Sequence, residues 1–159
     1  MQRAKRGNLN SLALLLGKME GHAEPLGQVE AMQRLGKWSY WLAFVDEKPQ
    51  GLISWRAENL VGVIREAWFE NNGTEPQLVP PLIAGIENES RSLINEVLIF
   101  LVAPDMTTWL TPLITSAGFA PTNIDSLHKI WREVVKEHVR ETDQIYFKRL
   151  REEMVTKPI

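Results

Sequence analysis

The chain has no cysteine, which excludes disulfide staples, thiolate metal sites and cysteine nucleophiles. Histidine is scarce: only His22, His128 and His138 occur. The last two are ten residues apart, not the three or four that put two ligands on one helix face, so the sequence predicts no metal site. The basic surplus of a nucleic-acid binder is missing as well. Lys and Arg number 18 against 20 Asp and Glu, a formal net charge of -2 with a pI near 6.0, so nucleic acid is not expected as a partner. No apolar run approaches the roughly 20 residues that span a bilayer. The start, Met1 to Gly7, is basic but leads into Asn8 to Ser11 and a short apolar run that continues into Lys18 and Glu20, unlike a cleaved signal. No membrane partner is expected, and the cytoplasm is the expected compartment.

What remains is ordinary for a folded protein: 159 residues, 44% apolar and 24% charged, with no repeat, no low-complexity tract and no linker. One domain over residues 1-159 is expected. Gln2 to Ala4 suits an edge strand, and Asn8 or Asn10 can cap a helix through Leu16 that stops at Gly17. A second helix is predicted from about Pro25 to Leu35, with Leu26, Val29, Met32 and Leu35 on one face. From Trp38 the period changes. Tyr40 to Val45 and Leu52 to Arg56 read as a hairpin around Asp46 to Gly51, and a turn near Glu58-Asn59 leads into a third strand, Val61 to Phe69.

The chain is organised around Val61 to Phe119, read as strand, polar loop, helix, strand, helix: a βαβ unit with two parallel strands. Its first loop, Glu70 to Pro76, precedes a helix whose start can hold an anion on backbone N–H groups. Thr74 and Gln77 have capping-box spacing, while Pro80 and Pro81 imply either a kink or a start at Pro80, with Leu82, Ile83 and Ile86 buried. Val97 to Val102 is apolar throughout, as in a strand covered on both faces, and a helix capped by Asp105 ends at Gly118. The last forty residues are ambiguous between strand and helix. The reading preferred here is a strand near Ile124 to Lys129 followed by a helical tail from about 131. Its stripe of Leu127, Ile130, Trp131, Val134, Val135 and Val139 either folds back on the sheet or covers a second subunit, as in a homodimer.

This order of elements resembles the GCN5-related N-acetyltransferase (GNAT) family. The likeness is carried by Arg3-Ala4 followed by Asn8-Leu9 and a leucine-rich helix, by the Phe44 to Ile53 hairpin, and by Ser116-Ala-Gly-Phe119, which resembles the leucine-glycine-phenylalanine ending of the family's last core helix. The fold class that the resemblance implies is α/β (α+β): the GNAT-like acyl-CoA N-acyltransferase fold, a mixed central sheet of six to seven strands flanked by helices. It further implies an N-acetyltransferase moving an acetyl group from acetyl-CoA to an amine. Pantetheine would bond to the backbone of Ala67, Trp68 and Phe69, the pyrophosphate would rest on Asn72, Gly73 and Thr74, and Glu66 would serve as general base. Against that role, Glu66 also reads as a solvated or Arg-paired strand glutamate.

Two departures from the family pattern bear on this. The glycine-rich loop lacks its arginine, Pro76 has no N–H, and Glu75 brings a negative charge that at ~5 Å costs on the order of 1 to 3 kcal/mol per phosphate charge. Aligning on Gly118, the family's thiolate-protonating tyrosine falls at Ile114, and the asparagine that often opens that helix falls near Thr107. The alternative is a catalytically inactive member of the fold acting as a binding or assembly module.

Overall fold

The structure, a computed structural model, describes residues 2–151. In chain order the elements are β1 (Gln2–Arg3), α1 (Leu9–Met19), α2 (Gln28–Lys37), β2 (Ser39–Val45), β3 (Lys48–Glu58), β4 (Val61–Phe69), α3 (Glu75–Ser92), β5 (Val97–Val102), α4 (Thr107–Ser116), β6 (Ala120–Thr122), α5 (Lys129–His138) and β7 (Gln144–Arg149). The strands make a mixed seven-stranded sheet in the order β1-β2-β3-β4-β5-β7-β6. β4 and β5 run parallel, as the βαβ pattern requires, while β1–β2, β2–β3, β5–β7 and β6–β7 are antiparallel. Among the described residues no helix is long and apolar enough to cross a membrane.

Two tight turns shape the meander. Asp46 and Glu47 (φ 50° and 66°), then Asn59 and Leu60 (φ 50° and 65°), take left-handed backbone in succession, as two-residue hairpin turns require. The first turn is therefore shorter than the Asp46 to Gly51 span expected. Lys48, Pro49 and Gly51 already pair with β2, and the register slips between Ala43 and Phe44 to accommodate them.

The described chain forms two compact units. The first comprises the chain up to Arg56 together with Glu66–Leu82, and the second Ala57–Arg65 together with the chain from Ile83 onward. In the first unit, Leu12, Leu15 and Leu16 of α1 bury against Ala4, Tyr40, Leu42 and Leu52. Gly17, expected to stop α1, lies inside it. A Cβ there would sit 2.5 Å from the carbonyl oxygen of Glu24, so glycine is required for the chain to pass, and the helix ends two residues later at Met19. Val29 and Met32 are 73% and 42% exposed rather than buried. Residues three apart advance about 300° around a helix, so a run of such steps spirals off any single face, and only Leu26 and Leu35 of the predicted stripe pack inward.

In the second unit every residue of β5 is buried. Val61, Val63, Val97, Ile99 and Leu101 pack with Leu127, Trp131, Val134, Val135 and Ile145. Of the predicted stripe, Leu127, Trp131, Val134 and Val135 are thus buried against strands of their own chain, with Val139 packed at the edge. α4 ends in a left-handed Gly118 (φ 100°), with Gly118 and Phe119 N–H groups returning to the carbonyls of Thr115 and Ile114.

The C-terminal expectations need correction. Ile124–Ser126 is a 3-10 turn, not a strand, because the Asn123 side chain accepts the Ser126 N–H at 3.0 Å and curls the backbone. The strand comes earlier, at β6. The expected helical tail from about 131 is helical only as far as His138, and then β7 inserts between β5 and β6, its backbone donors and acceptors used on both sides. Whatever that tail expectation says of residues 152–159 lies outside the described residues.

Candidate functional site

β3 presents Ser54 between Ile53 and Trp55, a lone hydroxyl in an apolar run, and the β2–β3 register sets Tyr40 directly opposite it. Glu66 of β4 completes the row. The Ser54 hydroxyl donates to Glu66 Oε1 at 3.2 Å and accepts the Glu66 N–H at 3.0 Å, and the Tyr40 hydroxyl donates to the same Oε1 at 3.3 Å. Tyr40 and Ser54 are fully buried, while Glu66 is half-buried. A strand glutamate with a salt-bridge partner would have been commonplace; this one is held by two hydroxyls.

Burial, and next the facing Glu66 carboxylate, push the Tyr40 phenol far above the usual tyrosine range. Tyr40 therefore stays a neutral donor toward Glu66 at any ordinary pH. Arg34 of α2 lies beside it and pairs with Glu20, whose hydrogen bond raises the guanidinium above its already high value.

The end of β4 and the loop beyond it form the second part of the site. The parallel ladder pairs Val61 with Val97 through Ile64 with Phe100, and β4 continues beyond it to Phe69. The expected cofactor-strand residues Ala67, Trp68 and Phe69 all lie past the last of those pairs. In the loop, Gly73 takes φ 80°, a conformation suited to glycine. Asn72 organises the turn: its Oδ1 accepts both the N–H and the hydroxyl of Thr74, its Nδ2 donates to Gln50 Oε1 at 2.8 Å, and its own N–H goes to the Glu70 carbonyl.

Of the three expected cradle residues, then, Asn72 and Thr74 have their backbone N–H groups engaged inside the loop. The Gln77 N–H that a capping box would bring to the Thr74 hydroxyl goes instead to the Thr74 carbonyl at 3.0 Å. α3 nonetheless starts at Glu75 and runs through both Pro80 and Pro81, which face outward, while Val79, Leu82, Ile83 and Ile86 are buried. Lys18 of α1 reaches the loop and forms an ion pair with Glu70.

In α4, Ile114 is fully buried and offers no proton, and the Thr107 hydroxyl is turned back to the Ala103 carbonyl at 3.4 Å. A further cluster lies in the second unit. Glu58, Glu137 and His138 bring ligand-type atoms within 4.8 Å of one another, with His138 Nε2 already 2.8 Å from Glu58 Oε2. Histidine spacing along the sequence gave no sign of it, because Glu58 comes from a strand turn 80 residues away. Tyr40 and Ser54 were missed for a similar reason: each looks like core until the strand register is known.

No protein-family model matches the sequence, and no curated protein matches it. Solved structures do. A GNAT-family acetyltransferase from Staphylococcus aureus Mu50 superposes with a TM-score of 0.69 at 10% identity, over 94% of this chain and 98% of that one. A GNAT-superfamily phosphinothricin acetyltransferase from Sinorhizobium meliloti, solved in complex with acetyl-CoA, gives 0.67 at 14% identity over 99% and 91%. The ribosomal-protein-alanine N-acetyltransferase of Brucella melitensis gives 0.66 at 15% identity over 93% and 98%. With sequence identity this low and coverage this complete, what the chain shares with these proteins is the architecture: it has the fold of the GNAT acetyltransferases.

Proposed function

We propose that the chain is an acetyl-CoA-dependent N-acetyltransferase acting on an amine, with Glu66 as general base. The observation that carries this is Glu66 itself: a half-buried carboxylate on β4, held by two hydroxyls, one strand position before main chain that runs on past the ladder to β5. An amine nitrogen forms the new bond to the acetyl carbonyl carbon and gives its proton to Glu66. The carbon–sulfur bond breaks, and the thiolate leaves to be protonated by solvent. Direct transfer of this kind needs orientation, a base and an N–H for the developing oxyanion rather than a covalent nucleophile. The N–H near Trp68 is the candidate for that donor.

The residues fit acetyl-CoA unevenly. The main chain of Ala67, Trp68 and Phe69 suits an extended pantetheine arm. The loop is a poorer seat for the pyrophosphate, with Asn71, Gly73 and Glu75 as its remaining amides, the Glu75 carboxylate adjacent, and Lys18 as a cation at hand. Acetyl-CoA should therefore bind weakly, mostly through its pantetheine. The cytoplasm and a single domain fit this role. The buried Ile114 and the internally bonded loop favour a second reading, a binding or assembly module without catalysis.

Thermal unfolding with increasing acetyl-CoA separates the two. Ligand at ~100 times its dissociation constant raises stability by roughly 2.7 kcal/mol, and acetyl transfer to a panel of amines should vanish in Glu66→Gln. A flat melting temperature up to millimolar acetyl-CoA would leave the inert module standing.

A further inference from the structure

The two oxygens of Glu66 have different surroundings. Ser54 Oγ accepts the Glu66 N–H at 3.0 Å, which leaves the single proton of that hydroxyl to be spent elsewhere, and Oε1 lies 3.2 Å away. Tyr40 brings its own proton to Oε1 at 3.3 Å. Both donor residues have 0% exposure, so bulk water does not compete for either proton. Oε1 thus holds two donors, and Oε2 has no hydrogen-bond partner among the described residues. The two bonds are long for hydroxyl donors, as catalytic contacts often are before substrate is in place.

We propose that Ser54 and Tyr40 are positioning residues that pin Oε1 of Glu66 inward and leave Oε2 as the atom that takes the proton from the acceptor amine. This rests on the acetyl-transfer reading above. Two strands supply the clamp, so the carboxylate plane is set by sheet register rather than by a flexible loop. A carboxylate free to rotate would offer either oxygen, and part of its population would face away from the amine.

The test has two arms. In the first, needing no acceptor, ultraviolet titration of Tyr40 in a Tyr146→Phe background should show the phenol ionising at lower pH once Glu66→Gln removes the facing carboxylate. An unchanged titration overturns the clamp. In the second, acetyl-CoA is reacted with spermidine, phenethylamine and a lysyl tripeptide as acceptor probes. Tyr40→Phe and Ser54→Ala should each lower kcat about tenfold, the worth of one hydrogen bond to a charged group. KM for acetyl-CoA should stay unchanged, and the acid limb of the rate profile should move to higher pH. Ser54→Thr, which keeps the hydroxyl, should recover most of the rate and guards against a folding defect in Ser54→Ala. Wild-type kcat in both single variants, alongside an inactive Glu66→Gln, sinks the positioning role alone. An active Glu66→Gln, or a wild type that transfers to no probe, sinks the acetyl-transfer reading and this inference with it.

Discussion

Replacing Gly51 with alanine should destabilise the protein, and removing the ring of Phe69 should reverse the sign. A Cβ built on Gly51 would lie 2.1 Å from Phe69 Cδ1, 2.5 Å from Cε1 and 2.7 Å from Cγ. Carbon atoms pack at ~3.5 to 4.0 Å, so the methyl group and the ring cannot both keep their places. Phe69 is 7% exposed and must move within a packed environment. Overpacking of this kind costs ~1 to 3 kcal/mol, against ~0.5 to 1 kcal/mol regained by replacing a strand glycine with alanine. The net expectation is a loss of roughly 0 to 2.5 kcal/mol in the wild type, about 1 kcal/mol at the midpoints. In a Phe69→Ala background, itself costing ~3 to 5 kcal/mol, the clash is gone and the same substitution should stabilise by ~0.5 to 1 kcal/mol. Urea unfolding of the four proteins, read from midpoints at constant m, closes the cycle. A stabilising Gly51→Ala in the wild type, or additive effects, would refute the contact. Since Phe69 also ends the main chain assigned to pantetheine, Gly51→Ala should lose part of the acetyl-CoA melting shift.

Two further outcomes follow from buried polar groups. Because the Tyr40 phenol is held above its unfolded value of ~10, its contribution to stability is whole below about pH 10 and is lost as pH rises toward the folded value. Urea midpoints should therefore fall more steeply for wild type than for Tyr40→Phe between about pH 9.5 and 11.5, and parallel curves would count against the raised phenol. Arg65→Met removes the guanidinium that pairs at 3.2 Å with Asp143, whose side chain is 1% exposed. Leaving that carboxylate with the Arg140 N–H at 2.9 Å but without its cation should cost up to ~3 to 5 kcal/mol, and Arg65→Met with Asp143→Leu should be more stable than Arg65→Met alone; a double variant no better than the single would contradict this.

The sequence carried most of the scaffold. The β-rich runs Tyr40 to Val45 and Leu52 to Arg56 and the uninterrupted apolar Val97 to Val102 marked strands whose pairing the structure bears out, and Gly118 marked the end of α4 through its left-handed backbone. Where sequence reading went astray, tertiary demands had overridden local ones. Gly17 reads as a stop because glycine is flexible, yet it is there because the Glu24 carbonyl leaves no room for a side chain. Gln144 to Leu150 lies in the stretch ambiguous between helix and strand, where a helical tail was preferred, and the edges of β5 and β6 decide it for a strand. Proline at 80 and 81 left a kink or a start at Pro80 open, and α3 begins before both, at Glu75, with the two prolines exposed and Val79, Leu82 and Ile83 buried. Glu66 was legible as a carboxylate on β4. Its partners Tyr40 and Ser54 were not, because which residues stand abreast depends on turn lengths that the residues alone leave open.

β4 is divided between the two units, Val61–Arg65 with one and Glu66–Phe69 with the other. On the ribosome this has an awkward result. A nascent chain that has emerged from the ribosome as far as Leu82 has every residue of the first unit outside, yet it also exposes Val61, Val63 and Ile64, which end fully buried. Their parallel neighbours Val97 to Phe100 are at that point still inside the ribosome. Until they emerge, a sticky half-strand stands exposed in the growing polypeptide, and slow translation at that stage would lengthen the time in which it can meet the wrong partner.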